Sequence, residues 1–222
     1  CAKAVEHGKS LYIDAEESWI QKAIDKVVFA MMRKFNMDKA YIFNTYQLYK
    51  KSALSDMIHA HQELRSTNCH LGAKLVRGAY MEKERERAEE RGYEDPIQPN
   101  KQACDQDYNL ALDYCLDHID SISVCAGTHN EDSSIYLAEL IDSQGLDRSD
   151  PRIYFSQLYG MSDNISYNLA KEGFNVAKYV PYGSVEKVMP YLMRRAEENT
   201  AIAGQTSREF LLVKKELKRR KG

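Results

Sequence analysis

The chain has 222 residues, of which 43% are hydrophobic and 29% charged, and its lysines and arginines nearly balance its acidic residues to leave a formal net charge of -2. This is the composition of a globular protein, so it excludes a disordered or collagen-like chain. The near neutrality excludes the strongly basic class of nucleic-acid-binding proteins, and no apolar stretch approaches the roughly 20 residues that a membrane span needs.

Short apolar runs alternate along the chain with longer segments of helical periodicity. Each run has strand length and is rich in Val, Ile, Tyr or Phe, which predicts six strands. These are Ser10–Ile13, Ala40–Thr45, His70–Val76, Ser121–Ala126, Ile153–Leu158 and Asn175–Val180. The apolar spacing between them predicts helices at Trp19–Phe35, Asn100–Ile119, Glu131–Gly145, Asp163–Gly173 and Ser184–Asn199. We also expect His59, His61 and the charged helical segment Glu82–Arg91 to face solvent.

A repeated strand–helix order argues for a parallel α/β sheet, either an open doubly wound sheet or a closed (β/α)8 TIM-type barrel. The sequence contains no GxGxxG or Walker motif, which a doubly wound nucleotide-binding fold would require. Polar residues instead follow nearly every predicted strand, as at the active-site rim of a barrel. We therefore favour the barrel. Six units instead of eight predict that two N-terminal units are missing and lie upstream of Cys1.

The last predicted helix carries Tyr191, Arg194, Arg195 and Glu198 on one face, at positions i, i+3, i+4 and i+7. Adjacent guanidinium groups can hold a carboxylate or phosphate in bidentate fashion. The alternative interpretation is a salt-bridged surface that binds nothing.

The segment from Lys74 to Tyr80 is the second candidate site. Strand alternation predicts Lys74 and Val76 on one face of the sheet, with Leu75 and Arg77 on the other. His129 follows another strand, where it could be a general acid or a hydrogen-bond donor to a ligand. No metal site is expected, since no second ligand stands at the required spacing. The five widely spaced cysteines form no CxxC pair and fit reduced thiols in an intracellular protein, with Cys125 buried.

Six segments together closely resemble one family. They are YIDAEES (Tyr12–Ser18), IFNTYQLY (Ile42–Tyr49), GAKLVRGAYMEKERERAEERGYEDPI (Gly72–Ile97), THNED (Thr128–Asp132), YFSQLYGMSD (Tyr154–Asp163), and KYVPYG with PYLMRRAEEN (Lys178–Asn199). The family is that of the proline dehydrogenases (proline oxidases), flavoproteins that bind FAD on a (β/α)8 barrel. These segments are similar to those of the monofunctional, mitochondrial-like branch of the family.

The resemblance implies a role for individual residues. Arg194 and Arg195 match the pair that binds the carboxylate of L-proline, and Glu198 matches the acid paired with them. Three tyrosines and one leucine match the residues that shape the proline pocket: Tyr80, Tyr179, Tyr191 and Leu75. Lys74 matches a catalytic basic residue near N5 of the flavin. The positions that match other residues around FAD are Asn44, Val76, Arg77, Gly78, Ala79, Thr128, His129, Asn130, Gln157 and Leu158.

The resemblance implies oxidation of L-proline to 1-pyrroline-5-carboxylate by hydride transfer to FAD, with electrons passed to a membrane quinone. It therefore implies proline catabolism and peripheral membrane contact, at the mitochondrial inner membrane in a eukaryote or the cytoplasmic membrane in a bacterium. We expect a barrel domain over residues 1–205 and a basic C-terminal helix or tail over residues 206–222.

Three alternatives remain open at this point. The first is a hydroxyproline dehydrogenase, against which the bulk of Tyr179 argues, because the related enzymes carry a smaller residue there. The second is a barrel lyase or aldolase that uses Lys74 as a Schiff base. The third is a catalytically incomplete barrel fragment that only binds a ligand.

Overall fold

The computed structural model describes residues 1–201 and 214–220, and for residues 194–201 it describes the backbone alone. The strands are β1 (Leu11–Ile13), β2 (Ile42–Gln47), β3 (Leu71–Val76), β4 (Ile122–Gly127), β5 (Ile153–Leu158) and β6 (Val176–Tyr179). The helices are α1 (Ala2–Glu6), α2 (Ser18–Phe35), α3 (Ala53–Arg65), α4 (Met81–Arg91), α5 (Lys101–Asp117), α6 (Glu131–Ser143), α7 (Asp163–Lys171) and α8 (Val185–Ala201). The six predicted strands are confirmed, and only their ends shift.

The six strands form one sheet in strict chain order, from β1 to β6. The pairings from β1 through β5 are parallel, and one row across the sheet aligns Thr45, Lys74, Cys125 and Tyr154. A doubly wound sheet reverses its strand order at a switch point, whereas a barrel keeps the chain order. The order therefore agrees with the barrel prediction.

The two faces of the sheet differ in composition. Alternate side chains of the strands, such as Ile42, Leu71 and Ile122, are fully buried and form one apolar core with helices that include α2, α3 and α5. We call this the helix face. Burial of each such side chain contributes roughly 1.5–3 kcal/mol, which makes this layer the main stabilising element. The opposite face, which we call the inner face, carries Lys74 and Cys125 in the aligned row.

The chain divides into two compact units, which we describe separately. The first contains Cys1–Gln157 and Asp163–Lys178, and the second contains Leu158–Ser162 and Tyr179–Gly222. The first unit thus holds helices α1 to α7 and nearly the whole sheet, and the second holds α8. The predicted boundary at residue 205 lies outside the described residues. Residues 214–220 are helical.

No helix in the described part of the chain combines the length and apolarity that crossing a membrane requires.

The structure corrects the prediction that His61 faces solvent. Its side chain is buried, with Nδ1 2.8 Å from the hydroxyl of Tyr114 and Nε2 2.7 Å from that of Ser121. The prediction was wrong because His61 shares the buried face of α3 with Met57 and Leu64, whereas His59 is exposed as expected. A histidine can occupy this face because both ring nitrogens find a partner.

The segment Glu82–Arg91 also departs from its prediction at one carboxylate. Most of its charged side chains are exposed or half-buried, but Glu84 is buried. Its oxygens accept hydrogen bonds at 2.6 Å from the backbone N–H and the hydroxyl of Ser18. The first N–H groups of a helix lack internal partners, so Glu84 satisfies the start of α2 instead of facing water.

Candidate active site

Lys74 lies on the inner face of β3, near the carboxyl end of the strand. Its amino group reaches across β2 and donates to the Asp14 carboxylate at 2.5 Å. Asp14 directly follows β1, so the ion pair lies at the rim where parallel strands end. The Lys74 side chain is mostly buried, whereas Asp14 is exposed. The ion pair therefore holds the Lys74 cation at the edge of the site.

The segment Asp14–Ser18, which we call the acidic segment, contacts three further residues, one directly before α4 and two in its first turn. The hydroxyl of Tyr80 donates to Glu16 at 2.6 Å, and the amino group of Lys83 donates to Glu17 at 2.8 Å. The Ser18–Glu84 contact completes the series. The acidic segment, which follows β1, therefore binds the side chain of Tyr80, which follows β3.

Arg77 joins two strands and two helices at the same rim. Its guanidinium donates to Asp105 on α5 at 2.7 Å, to the hydroxyl of Thr128 at 2.7 Å and to that of Ser133 on α6 at 3.0 Å. The guanidinium carbon also lies 4.4 Å from the centre of the Tyr108 ring. These contacts with α5 place Arg77 on the helix side of the sheet, as alternation predicted.

Thr128, Asn130 and Gln157 extend this network. The Thr128 hydroxyl accepts from the backbone N–H of Asn130 at 3.0 Å, and Asn130 caps α6 by accepting from the backbone N–H of Ser133 at 2.9 Å. The side-chain amide of Gln157 donates to the carbonyl of Thr128 at 3.2 Å and accepts from the hydroxyl of Ser166 at 2.9 Å. The structure therefore brings four of the predicted FAD positions into one hydrogen-bonded group, while His129 lies half-buried between two of them.

Gly78 and Ala79 form an exposed turn between β3 and α4. Gly78 has φ +134°, a conformation that L side chains rarely adopt, and a Cβ there would lie 2.4 Å from ring atoms of Tyr49. The backbone N–H of Ala79 donates to the Gln47 side chain at 3.4 Å. The turn thus lies close to the Tyr49 ring, and both of its residues are exposed to solvent.

Two predicted site residues do not reach this rim. Leu75 is fully buried in the core between sheet and helices, and the side-chain amide of Asn44, also buried, donates to Asp25 of α2 at 2.9 Å. Strand alternation explains both placements, because Lys74 and Thr45 occupy the inner face in the positions adjacent to them. Val76 lies on the same face as Lys74 and is half-buried.

The second unit contains the other predicted substrate residues. The rings of Tyr179 and Tyr191 lie 5.6 Å apart between centres, and the carbonyl of Tyr179 accepts from the backbone N–H of Tyr159 at 2.9 Å. Leu158 begins this unit. The backbone of α8 places three further predicted residues one and two turns beyond Tyr191, but their side chains lie outside the described part: Arg194, Arg195 and Glu198.

Four of the five cysteines are buried, and Cys1 is exposed. Cys125 is buried as predicted, and burial raises the pKa of its thiol to about 11. The described residues contain no group of three or more His, Cys, Asp or Glu side chains placed to hold a metal ion.

The sequence places the acidic segment at the rim but does not identify its partners in the site. Asp14 and Glu16 stand directly after the first predicted strand, which was a signal for a rim position. Their partners Lys74 and Tyr80 lie more than 50 residues away, so sequence spacing alone could not pair them.

Comparisons with known proteins now bear on this site. Residues 1–208 match the family model described as proline dehydrogenase. Proline dehydrogenase 1, mitochondrial, of Homo sapiens is 45% identical over 221 residues, covering 98% of this chain and 37% of that protein. A hydroxyproline dehydrogenase of Xenopus laevis is 39% identical over 212 residues, covering 94% of this chain and 46% of that protein.

A solved structure is similar over nearly the whole chain. Proline utilization A from Bdellovibrio bacteriovorus, inactivated by N-propargylglycine, superposes with a TM-score of 0.82 at 25% identity, covering 90% of this chain and 21% of that one. The chain spans about a third of the length of the first mitochondrial relatives that it matches. The sequential parallel sheet, this likeness and the family match establish the (β/α)8 barrel as the fold class, and the chain belongs to the proline dehydrogenase family.

Proposed function

We propose that the protein containing this chain oxidises L-proline to 1-pyrroline-5-carboxylate, with FAD as the hydride acceptor. Membership of the family supports a redox reaction on proline. The observation that carries the proposal is the Lys74 amino group, which is held at the carboxyl rim of the sheet by Asp14. Barrel enzymes place their reacting groups at this rim.

The described residues fit a flavin. The Gly78–Ala79 backbone is exposed next to a strand that carries a cation, which suits a flat ring that gains negative charge when it accepts a hydride. Thr128, His129 and Asn130 lie between β4 and the start of α6, and we assign them to the surroundings of the flavin or its tail. We therefore assign Lys74, Val76, Gly78 and Ala79 to the ring, and Arg77 and Gln157 to the frame that supports it.

For the substrate, we assign Arg194 and Arg195 to the proline carboxylate, with Glu198 as their acidic partner. Two guanidinium forks fix a carboxylate in one orientation, and orientation of the reacting carbon lowers the barrel enzyme's activation free energy. Tyr80, Tyr179 and Tyr191 supply aromatic surface for the apolar ring. Leu75 and Asn44 are left out of this assignment because they lie on the helix face.

The residues have to prepare proline for loss of a hydride. The amine must be deprotonated so that its lone pair can form the C=N bond as the hydride leaves, and water must be kept from the reacting carbon. When bound, FAD would supply N5 as the hydride acceptor. The charge of Lys74 would stabilise the electron density gained by the acceptor.

We further propose that the electrons pass to a membrane quinone, which requires peripheral contact with a membrane. The basic helix at residues 214–220 supports such contact, because lysines and arginines are attracted to anionic lipid headgroups. The human relative is named a mitochondrial protein, which supports a mitochondrial location in a eukaryote. Within it we propose the matrix or the inner-membrane surface, and in a bacterium the cytoplasmic side of the membrane.

We also propose that two further strand–helix units complete the barrel beside β1. This strand ends the sheet order, and next to it an apolar groove is lined by residues that include Ile13, Ile24, Val27 and Met31. An uncovered parallel edge is unusual in soluble proteins. Slower hydrogen exchange of the β1 amides in a longer form of the protein would support this proposal.

The visible spectrum of the full-length protein tests the proposed function. We expect flavin absorbance that bleaches when L-proline is added without oxygen, and weaker bleaching with trans-4-hydroxy-L-proline. Preferential bleaching by the hydroxylated substrate would instead assign a hydroxyproline dehydrogenase. A folded, colourless protein would contradict the proposal, and a borohydride-trapped adduct on Lys74 would then indicate the lyase alternative.

A further inference from the structure

The contact between Glu16 and Tyr80 joins two loops that lie far apart in the sequence. The Tyr80 hydroxyl donates to Glu16 Oε2 at 2.6 Å, and both side chains are partly buried. Glu16 follows β1, whereas Tyr80 follows β3 and directly precedes α4. A hydrogen bond from a phenol to a carboxylate is short and strong, so it fixes the direction of the ring.

The backbone of Glu16 is held on both sides by buried amides. Its N–H donates to Oε1 of Gln21 at 2.8 Å, and its carbonyl accepts from Nε2 of Gln47 at 2.9 Å. Gln21 is in turn oriented by Asp25, to which it donates at 2.8 Å. Both glutamines are buried, so losing either hydrogen bond would leave a buried polar group unsatisfied. The position of Glu16 is therefore determined by the fold and not by solvent.

Gln47 also connects the two loops directly. While its Nε2 donates to Glu16, its Oε1 accepts from the backbone N–H of Ala79, the residue before Tyr80. One buried side chain thus sets the distance between the backbone of Glu16 and the backbone that carries Tyr80. This arrangement locates the phenol from its backbone and from its hydroxyl at once.

We propose that Glu16 is a positioning residue that holds Tyr80 in place for proline binding. The inference rests on the proposed function, in which Tyr80 contacts the substrate. Glu16 acts through the Tyr80 hydroxyl, with Gln21 and Gln47 as its supports. A tyrosine whose ring is already oriented loses less conformational entropy when the substrate binds, so the expected effect is on substrate affinity.

The first test is steady-state kinetics of the full-length flavoprotein. Glu16→Ala should raise KM for L-proline about tenfold and change kcat less, because one charge-assisted hydrogen bond is lost. Glu16→Gln, which keeps an acceptor oxygen, should recover most of the affinity. Tyr80→Phe should have an effect similar to that of Glu16→Ala, and the double variant should be no worse than either single one.

Glu17→Gln is the matched control, because Glu17 joins the same acidic segment to α4 through the exposed Lys83. It should leave KM within about twofold, as expected for an ion pair with a solvent-exposed partner. Additive effects of Glu16→Ala and Tyr80→Phe, or an equal effect of Glu17→Gln, would overturn the inference.

A second readout needs no turnover. With 3-fluorotyrosine at position 80, the fluorine resonance of the proline-free protein should shift in Glu16→Ala and stay in place in Glu94→Gln, which removes a surface carboxylate paired with Lys51. An unchanged resonance in Glu16→Ala would overturn the inference. If the parent protein fails to oxidise proline but the resonance shifts, the contact stands and the proposed function is what fails.

Discussion

The guanidinium of Arg77 donates to the hydroxyl of Thr128 at 2.7 Å and so joins the carboxyl end of β3 to that of β4. The same group also donates to Asp105 on α5 and to Ser133 on α6. One side chain therefore ties two strand ends to two helices. Since Thr128 lies among the residues that we assign to FAD, the stability of this rim and the binding of the cofactor should depend on Arg77.

Arg77→Ala should lower the free energy of unfolding by about 2–4 kcal/mol, because Thr128 and Ser133 lose a charged donor. It should also reduce the flavin content of the purified protein. Urea denaturation and the absorbance ratio of flavin to protein measure the two effects. Arg85→Ala is the control, since Arg85 pairs with Asp95 near the surface and should contribute less than about 1 kcal/mol. Equal losses in both variants would contradict the role given to Arg77.

Gly78→Ala should disturb the turn between β3 and α4. The added Cβ would lie 2.4 Å from ring atoms of Tyr49, and the backbone has a positive φ. We expect a loss of unfolding free energy of about 2 kcal/mol or more, from strain together with overpacking. Gly92→Ala has a positive φ but open space around its Cβ, so it should cost only about 1 kcal/mol. Thermal unfolding of the two variants compares them, and a larger effect at Gly92 would refute this explanation.

His61 should make stability depend on pH below neutrality. Burial, with His118 and Arg65 nearby, lowers the pKa of His61 to about 4, from an ordinary value of 6.5. The unfolded chain therefore takes up a proton at a higher pH than the folded chain does. Stability should fall as the pH drops from about 6.5 to about 4 and level off below, by up to about 3 kcal/mol.

Urea denaturation across this pH range checks the prediction. His61→Gln cannot titrate and should lose this part of the slope, whereas His59→Gln, at an exposed position, should keep it. An unchanged slope in His61→Gln would show that other groups produce the pH dependence.

The strands could be predicted from the sequence because their signal is local. Apolar runs such as Ile153–Leu158 identified the strands, and alternation correctly separated Lys74 from Leu75. Burial of His61 was not predictable in this way, because the Tyr114 and Ser121 hydroxyls that satisfy it lie more than 50 residues away. The helical period does place His61 on the face of α3 that carries Met57 and Leu64, but only the two hydroxyls show how a histidine can be buried there.

The candidate site likewise has some features that the local sequence predicts and others that depend on the fold. Lys74, Arg77 and Thr128 lie at the rim because their motifs follow or end strands, which sequence order reveals. The hydrogen bond between Glu16 and Tyr80 depends on how β1 and β3 are spaced across β2, which only the three-dimensional fold determines.

Lys74→Met should slow flavin reduction by L-proline by about 100-fold or more, because a positive charge near the hydride acceptor is lost. Lys74→Arg keeps the charge and should stay within about tenfold of the parent. Anaerobic stopped-flow absorbance measures the rate directly. Lys51→Met removes a lysine from a surface ion pair with Glu94 and serves as the control. A full rate in Lys74→Met would remove Lys74 from the catalytic group.

A substitution at Leu75 can distinguish a structural role of this residue from a role in the proline pocket. The side chain is fully buried in the core of the sheet and helices, and the hydroxyl of Tyr108 lies 3.4 Å from its carbonyl oxygen. Leu75→Ala should therefore lower the unfolding free energy by about 2–5 kcal/mol through the cavity that it leaves. At a temperature where the variant stays folded, KM for L-proline should remain within about threefold of the parent, since less than 1 kcal/mol of binding is then lost. A large rise in KM with little loss of stability would return Leu75 to the pocket, because a side chain that contacts substrate loses affinity when it is truncated while the core remains intact.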